Sequence, residues 1–110
     1  MLKQSDAAIW RHSQMPRLIR SQQSVEDQIT IWQYVAARNA IAADRLINRF
    51  DDRIQALLES PEIGERQPQF GEHTRRLIVG NYLIFYDVLP DAVRVLRVFH
   101  AARKIEDLFD

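Results

Sequence analysis

The chain has 110 residues, enough for one domain with a buried core, and no cysteine, which excludes disulfides, thiolate zinc sites and a thiol nucleophile. Its 15 basic and 15 acidic residues cancel, so there is no global attraction for nucleic acid and any anion site must come from local clustering. No apolar run approaches the roughly 20 residues that cross a bilayer, and the opening is too polar for a secretory signal, so an intracellular, cytoplasmic protein is expected.

Residues 1–16 mix polar and charged side chains with a short Ala7-Ala8-Ile9-Trp10 patch and read as an N-terminal arm or extension. Met15 offers an alternative start, and a single domain is expected over 17–110. Leu18-Ile19-Arg20-Ser21, bracketed by Pro16 and Ser24, predicts a first strand. The period then changes. Val25, Ile29, Trp32, Val35 and Ala36 recur every three or four residues and predict an amphipathic helix over about Val25 to Ala37, with Ser24 and Asp27 as its starting cap.

Asn39 caps a longer helix whose buried face is Ala43, Leu46, Ile47, Phe50, Ile54, Leu57 and Leu58. Arg45, Asn48, Arg49, Asp51, Asp52 and Arg53 occupy the other side. Ser60-Pro61 and Gly64 stop it, and the short connection between the helices predicts an antiparallel hairpin. Glu62 to Glu72, with Gly64, Pro68 and Gly71, reads as a surface loop leading to the sheet.

Three strands follow. Arg75 to Val79 and Tyr82 to Tyr86 are separated by Gly80-Asn81, a tight hairpin turn, and Pro90-Asp91 joins on the run from Val93. Tyr82, Ile84, Tyr86 and Val88 should face the helices, with Leu83, Phe85 and Asp87 on the reverse, which makes this a central strand. In the last strand Val93, Val95 and Phe99 are expected to alternate with Arg94, Leu96, Val98 and His100. Ala101 to Phe109 predicts a short terminal helix that docks through Ile105 and Leu108. The resulting expectation is α+β, a small antiparallel-rich sheet packed on a two-helix hairpin in the order β-α-α-β-β-β.

Chemistry-bearing residues concentrate in the sheet. Arg75 and Arg76, with Arg66 in the loop, read either as an anion-binding edge of bidentate guanidinium donors or as a solvated strand edge. His100 and Arg103 read either as an acid or base beside a charge-steadying cation, or as a structural pair at the strand end. Tyr82 and Tyr86 share a face and read as base-stacking residues or as core with wet hydroxyls. Trp32 and Tyr34 are expected to pack helix against sheet. Asp44, Asp51 and Asp52 lack the further ligands that a metal needs, and neither metal nor cofactor is expected.

This order of elements, with particular residues, resembles the RelE/ParE superfamily of type II toxin–antitoxin toxins, the ParE branch above all. The likeness rests on Ile31-Trp32-Gln33-Tyr34-Val35-Ala36, Ala42-Ala43-Asp44-Arg45-Leu46, Ser60-Pro61 with Gly64-Glu65-Arg66, Arg75-Arg76, Gly80 through Tyr86, and Val95 through Arg103. It covers about Arg17 to Leu108. The family usually has alanine near Ser24 and leucine near Gln28, and residues 1–16 have no counterpart in its usual pattern.

A ParE-like reading implies a toxin that binds DNA gyrase and blocks replication, held in a hetero-oligomer by a cognate ParD-like antitoxin, with no self-contained active site. Arg66, Arg75, Arg76, His100 and Arg103 are then partner-binding candidates, with no membrane contact and no sequence-specific DNA binding by this chain alone. A RelE-like reading implies a ribosome-dependent mRNA endoribonuclease, with His100 or Tyr86 moving the proton and Arg75, Arg76 or Arg103 on the scissile phosphate. The same fold can also survive as a non-toxic interaction module. Lys104 is the only lysine of the C-terminal region, which holds no dense basic cluster to grip ribosomal RNA, and this favours the ParE-like expectation.

Overall fold

A computed structural model describes residues 16–102 of the chain. The arm and most of the terminal helix expected from the sequence, with Arg103, lie outside the described residues. Strand β1 (Arg17–Arg20) leads into helices α1 (Gln22–Ala36) and α2 (Ala40–Ala56). Strands β2 (Glu65–Arg66), β3 (Thr74–Val79), β4 (Tyr82–Leu89) and β5 (Ala92–His100) follow. The sheet order is β1-β5-β4-β3-β2, with β1 parallel to β5 and every other pair antiparallel. The architecture is therefore the expected α+β hairpin-on-sheet.

Several local expectations hold for the reasons given. The Asn39 side chain accepts from the Ala42 N–H at 2.9 Å and starts α2, whose Ala43, Phe50 and Ile54 are fully buried. Gly80, at φ +60°, and Asn81 close the β3–β4 hairpin in two residues, with Val79 opposite Tyr82. A positive φ at the first turn position alone is the type II′ arrangement, which glycine adopts without a Cβ penalty.

Three expectations need correction. First, α1 starts earlier: Ser21 is its cap, accepting from the Ser24 N–H at 3.0 Å, and Ser24 is buried in the first turn, where its hydroxyl donates to the Ser21 carbonyl. Second, the expected loop contains a 3-10 turn at Pro61–Ile63 and the short β2, which pairs Glu65 with Arg76 and Arg66 with Arg75. A two-residue strand carries no period to detect. Third, β5 changes parity. Phe85 pairs with Arg97 and Tyr86 with Val95, so Leu96 is an extra residue and the strand bulges there. Val93, Val95 and Val98 consequently join the helix-side core, and Phe99 moves to the reverse face.

The helix-side core comprises Phe50, Ile54 and Leu57 of the hairpin region against Leu77, Ile84, Tyr86, Val93 and Val95 of the sheet. The reverse face holds a smaller cluster of Leu83, Phe85 and Phe99, with Phe70 and Leu96 packed on it. Phe85 stacks on Phe99 at 5.3 Å and meets Phe70 edge-on at 5.5 Å.

One ion pair ties α1 to the bulge. Arg97 donates from Nε and Nη2 to the two Asp27 carboxylate oxygens at 2.8 and 3.0 Å, and the Val98 N–H donates to the same carboxylate at 2.9 Å. Both side chains are only 14% exposed. This hydrogen bonding raises the Arg97 pKa against the opposing cost of burial. Asp27→Ala removes two hydrogen bonds from a shielded guanidinium and one from the Val98 N–H. It should cost about 3–5 kcal/mol, read as a lower urea midpoint at unchanged slope, with Asp27→Asn recovering part of the loss.

Candidate functional site

The apolar stripe of α1 does not face the sheet. Val25, Ile29 and Trp32 are 41%, 52% and 38% exposed. They form, with Ile47 of α2 and the polar Arg20, Gln28 and Asp51, an open groove of about 390 Å³. Trp32 donates its indole N–H to Asp44 on α2 at 2.8 Å, and Tyr34 is exposed with Arg38 over its ring at 6.0 Å. Neither aromatic packs helix on sheet, contrary to expectation. Val25, Ile29, Trp32 and Ile47 thus make an exposed apolar strip with a polar rim.

A second groove, of about 640 Å³, lies where α1 crosses the open end of β4 and β5, lined by Asp27, Thr30, Ile31 and Tyr34 with Tyr82 and His100 among others. His100 meets Tyr82 edge-on at 5.2 Å, and its Nδ1 accepts from the Ala102 N–H at 3.0 Å. Tyr82 also contacts Phe50 at 5.3 Å, and its burial, with Tyr34 nearby, raises its pKa.

The arginine edge is built differently from a free anion clamp. Arg75 donates to the Glu62 and Gly64 carbonyls at 3.0 and 2.7 Å, and Arg76 is paired with Glu65. Both guanidinium groups thus hold the Glu62–Arg66 segment on the sheet edge. Arg66 is exposed, opposite Arg75 in the ladder, and has no ion pair among the described residues.

Tyr86 is fully buried, without the wet hydroxyl the sequence suggested. The hydroxyl donates to the Pro61 carbonyl at 2.6 Å and accepts from the Gly64 N–H at 2.9 Å. Burial pushes its pKa up to about 12. A Cβ at position 64 would lie 2.8 Å from the Tyr86 ring and 2.9 Å from the Arg76 carbonyl, which is why glycine stands there. A hydroxyl closed off in this way anchors the turn and has no path for passing a proton to substrate.

The sheet also keeps the candidates apart. Arg75 pairs with Tyr86, whereas His100 pairs with Tyr82, four residues away on β4. Their backbones are therefore separated by about 13 Å along the strands and about 10 Å across them. Arg75 and Arg76, adjacent in one strand, project to opposite faces. Among the described residues no group of His, Cys, Asp or Glu is arranged to hold a metal ion, and no helix is long and apolar enough to cross a membrane.

A helical hairpin lies over a five-stranded sheet closed by the parallel β1–β5 pair, and this frame carries both grooves and the arginine edge. The family model described as the ParE toxin of type II toxin-antitoxin system, parDE, matches residues 18–105, and the chain belongs to that family. A solved structure of the chromosomal ParDE TA system from P. aeruginosa contains a similar chain, at TM-score 0.67 and 18% identity, covering 80% of this chain and 98% of the other. Comparison with curated protein sequences found no match.

The anchor can be tested directly. Tyr86→Phe removes a buried donor and leaves the Gly64 N–H unpaired, an expected loss of about 1–3 kcal/mol in chemical denaturation at pH 8. Because the folded-state pKa lies above the ordinary value of 10, the wild-type contribution is complete below pH 10 and is lost as pH rises toward 12. The variant should lack this alkaline step, so the stability difference narrows between pH 10 and 12.

Proposed function

We propose that this ParE-family chain is a toxin that acts by binding DNA gyrase and stalling replication, and that a ParD-type antitoxin neutralises it in a hetero-oligomer. One geometric observation carries the choice against a nuclease. The groups a self-contained active site would need, His100, Tyr86 and Arg75, are dispersed, with Tyr86 and Arg75 committed to the loop. Inhibition by surface binding needs no such convergence.

The outward stripe of α1 supports the antitoxin part of the reading. An amphipathic segment that is unstructured alone can lay its apolar side on Val25, Ile29 and Trp32 and fold as it binds. Among the described residues Arg66 and His100, both exposed, are further candidates for contact with target or antitoxin, and Arg103 stays a candidate outside them.

Expression without the antitoxin should depress DNA synthesis within minutes, before protein synthesis falls, and should induce a DNA-damage response. Purified protein should inhibit gyrase supercoiling. An early loss of translation with fragmented mRNA would overturn the proposal in favour of the ribonuclease. Separately, Ile29→Asp should weaken antitoxin binding by more than about tenfold in calorimetry, since it places a charge in the apolar strip at little cost to the core.

A further inference from the structure

The sequence has no net charge, yet the structure holds some of its arginines and leaves others exposed, three of the latter on one helix. Arg20, Arg75, Arg76, Arg94 and Arg97 are held by carboxylates or carbonyls. Arg45, Arg49 and Arg53 are exposed along α2 and have no hydrogen bond or ion pair among the described residues. They recur every four residues, so they stand about 6 Å apart along the axis and turn only about 40° per step. Arg49 lies over the β3–β4 turn, its Nη2 3.5 Å from where a Cβ on Gly80 would be.

Like charges at this spacing repel and weaken a helix, a cost that only Arg53, in the last turn of α2, recovers in part through the helix dipole. The nearest acidic groups do not cancel the row: Asp51 is taken by Arg20, Asp44 by Trp32, and Asp52 is exposed beside the row without an ion pair. The core is reached through Ala43, Phe50 and Ile54 of α2, and the three exposed arginines lie about 80–160° around the helix from Ala43. No aromatic side chain of α2 is exposed among these arginines, so the face offers charge and no stacking platform. Single-stranded nucleic acid is gripped by aromatic stacking as well as by charge, whereas a duplex backbone can be held by charge and hydrogen-bond donors without stacking.

We propose that the Arg45-Arg49-Arg53 face of α2 binds the phosphate backbone of duplex DNA without reading sequence. This does not depend on the gyrase reading, because the contact is measured with DNA and this chain alone.

The test is fluorescence anisotropy of the purified full chain with a labelled DNA duplex of mixed sequence, between 50 and 200 mM salt. Three phosphate contacts predict a slope of log K against log salt of about −2.7, equivalent to about a 40-fold loss of affinity over that range. Arg45→Gln with Arg53→Gln should flatten the slope to about −0.9 and the loss to about 3.5-fold. Arg17→Gln with Arg38→Gln removes the same charge elsewhere and should leave the slope unchanged. Circular dichroism on both double variants checks that they fold.

No binding to the duplex, or an equal change in slope for the two double variants, would overturn the inference. So would tighter binding to an RNA duplex, or capture of a polyglutamate peptide with no affinity for DNA, either of which would give the face a different partner.

Discussion

The carboxylate of Asp27 sets the orientation of α1, and much of the surface follows from it. It receives two hydrogen bonds from Arg97 and one from the Val98 N–H, all at the point where β5 bulges. Anchoring residue 27 to the sheet directs Ile31, one turn on, toward the core. Val25, Ile29 and Trp32 lie roughly 140–160° around the helix from Asp27 and are carried outward. A helix docked through its apolar stripe would have buried that strip. A helix docked through a charged hydrogen-bonded contact leaves it free for another chain.

The far edge of the sheet is organised by a second polar anchor. Tyr86 reaches past the core to bond Pro61 and Gly64, and Arg75 bonds the carbonyls of Glu62 and Gly64 from the strand edge. Together they hold the segment after α2 where β2 can pair with β3, covering part of an otherwise open sheet edge. Side chains that seem fit for acid, base or anion chemistry are thus used to satisfy backbone groups, which a loop crossing a buried region requires.

With those groups committed, the chain offers other molecules three kinds of surface: an apolar strip on α1, a groove beside His100, and an unpaired basic row on α2. Each lies on or against the helical hairpin, which carries the sheet on its other side.

Local pattern alone determined the elements that depend on local physics. The Asn39 cap, the buried face of α2, the Gly80-Asn81 turn and the two-sided apolar character of β4 are each set by residues within a few positions, and all could be read along the chain. Membership of the ParE family was legible for the same reason, since it rests on an ordered run of such elements. The α1 orientation was not legible, because an apolar stripe marks a helix without saying what covers it, and Asp27 pairs with a residue 70 positions away. The bulge at Leu96, the burial of Tyr86 and the capture of Arg75 were likewise decided only by contacts across the sheet. Periodicity reports which side of an element is apolar, but only the closed tertiary structure decides which side has a partner.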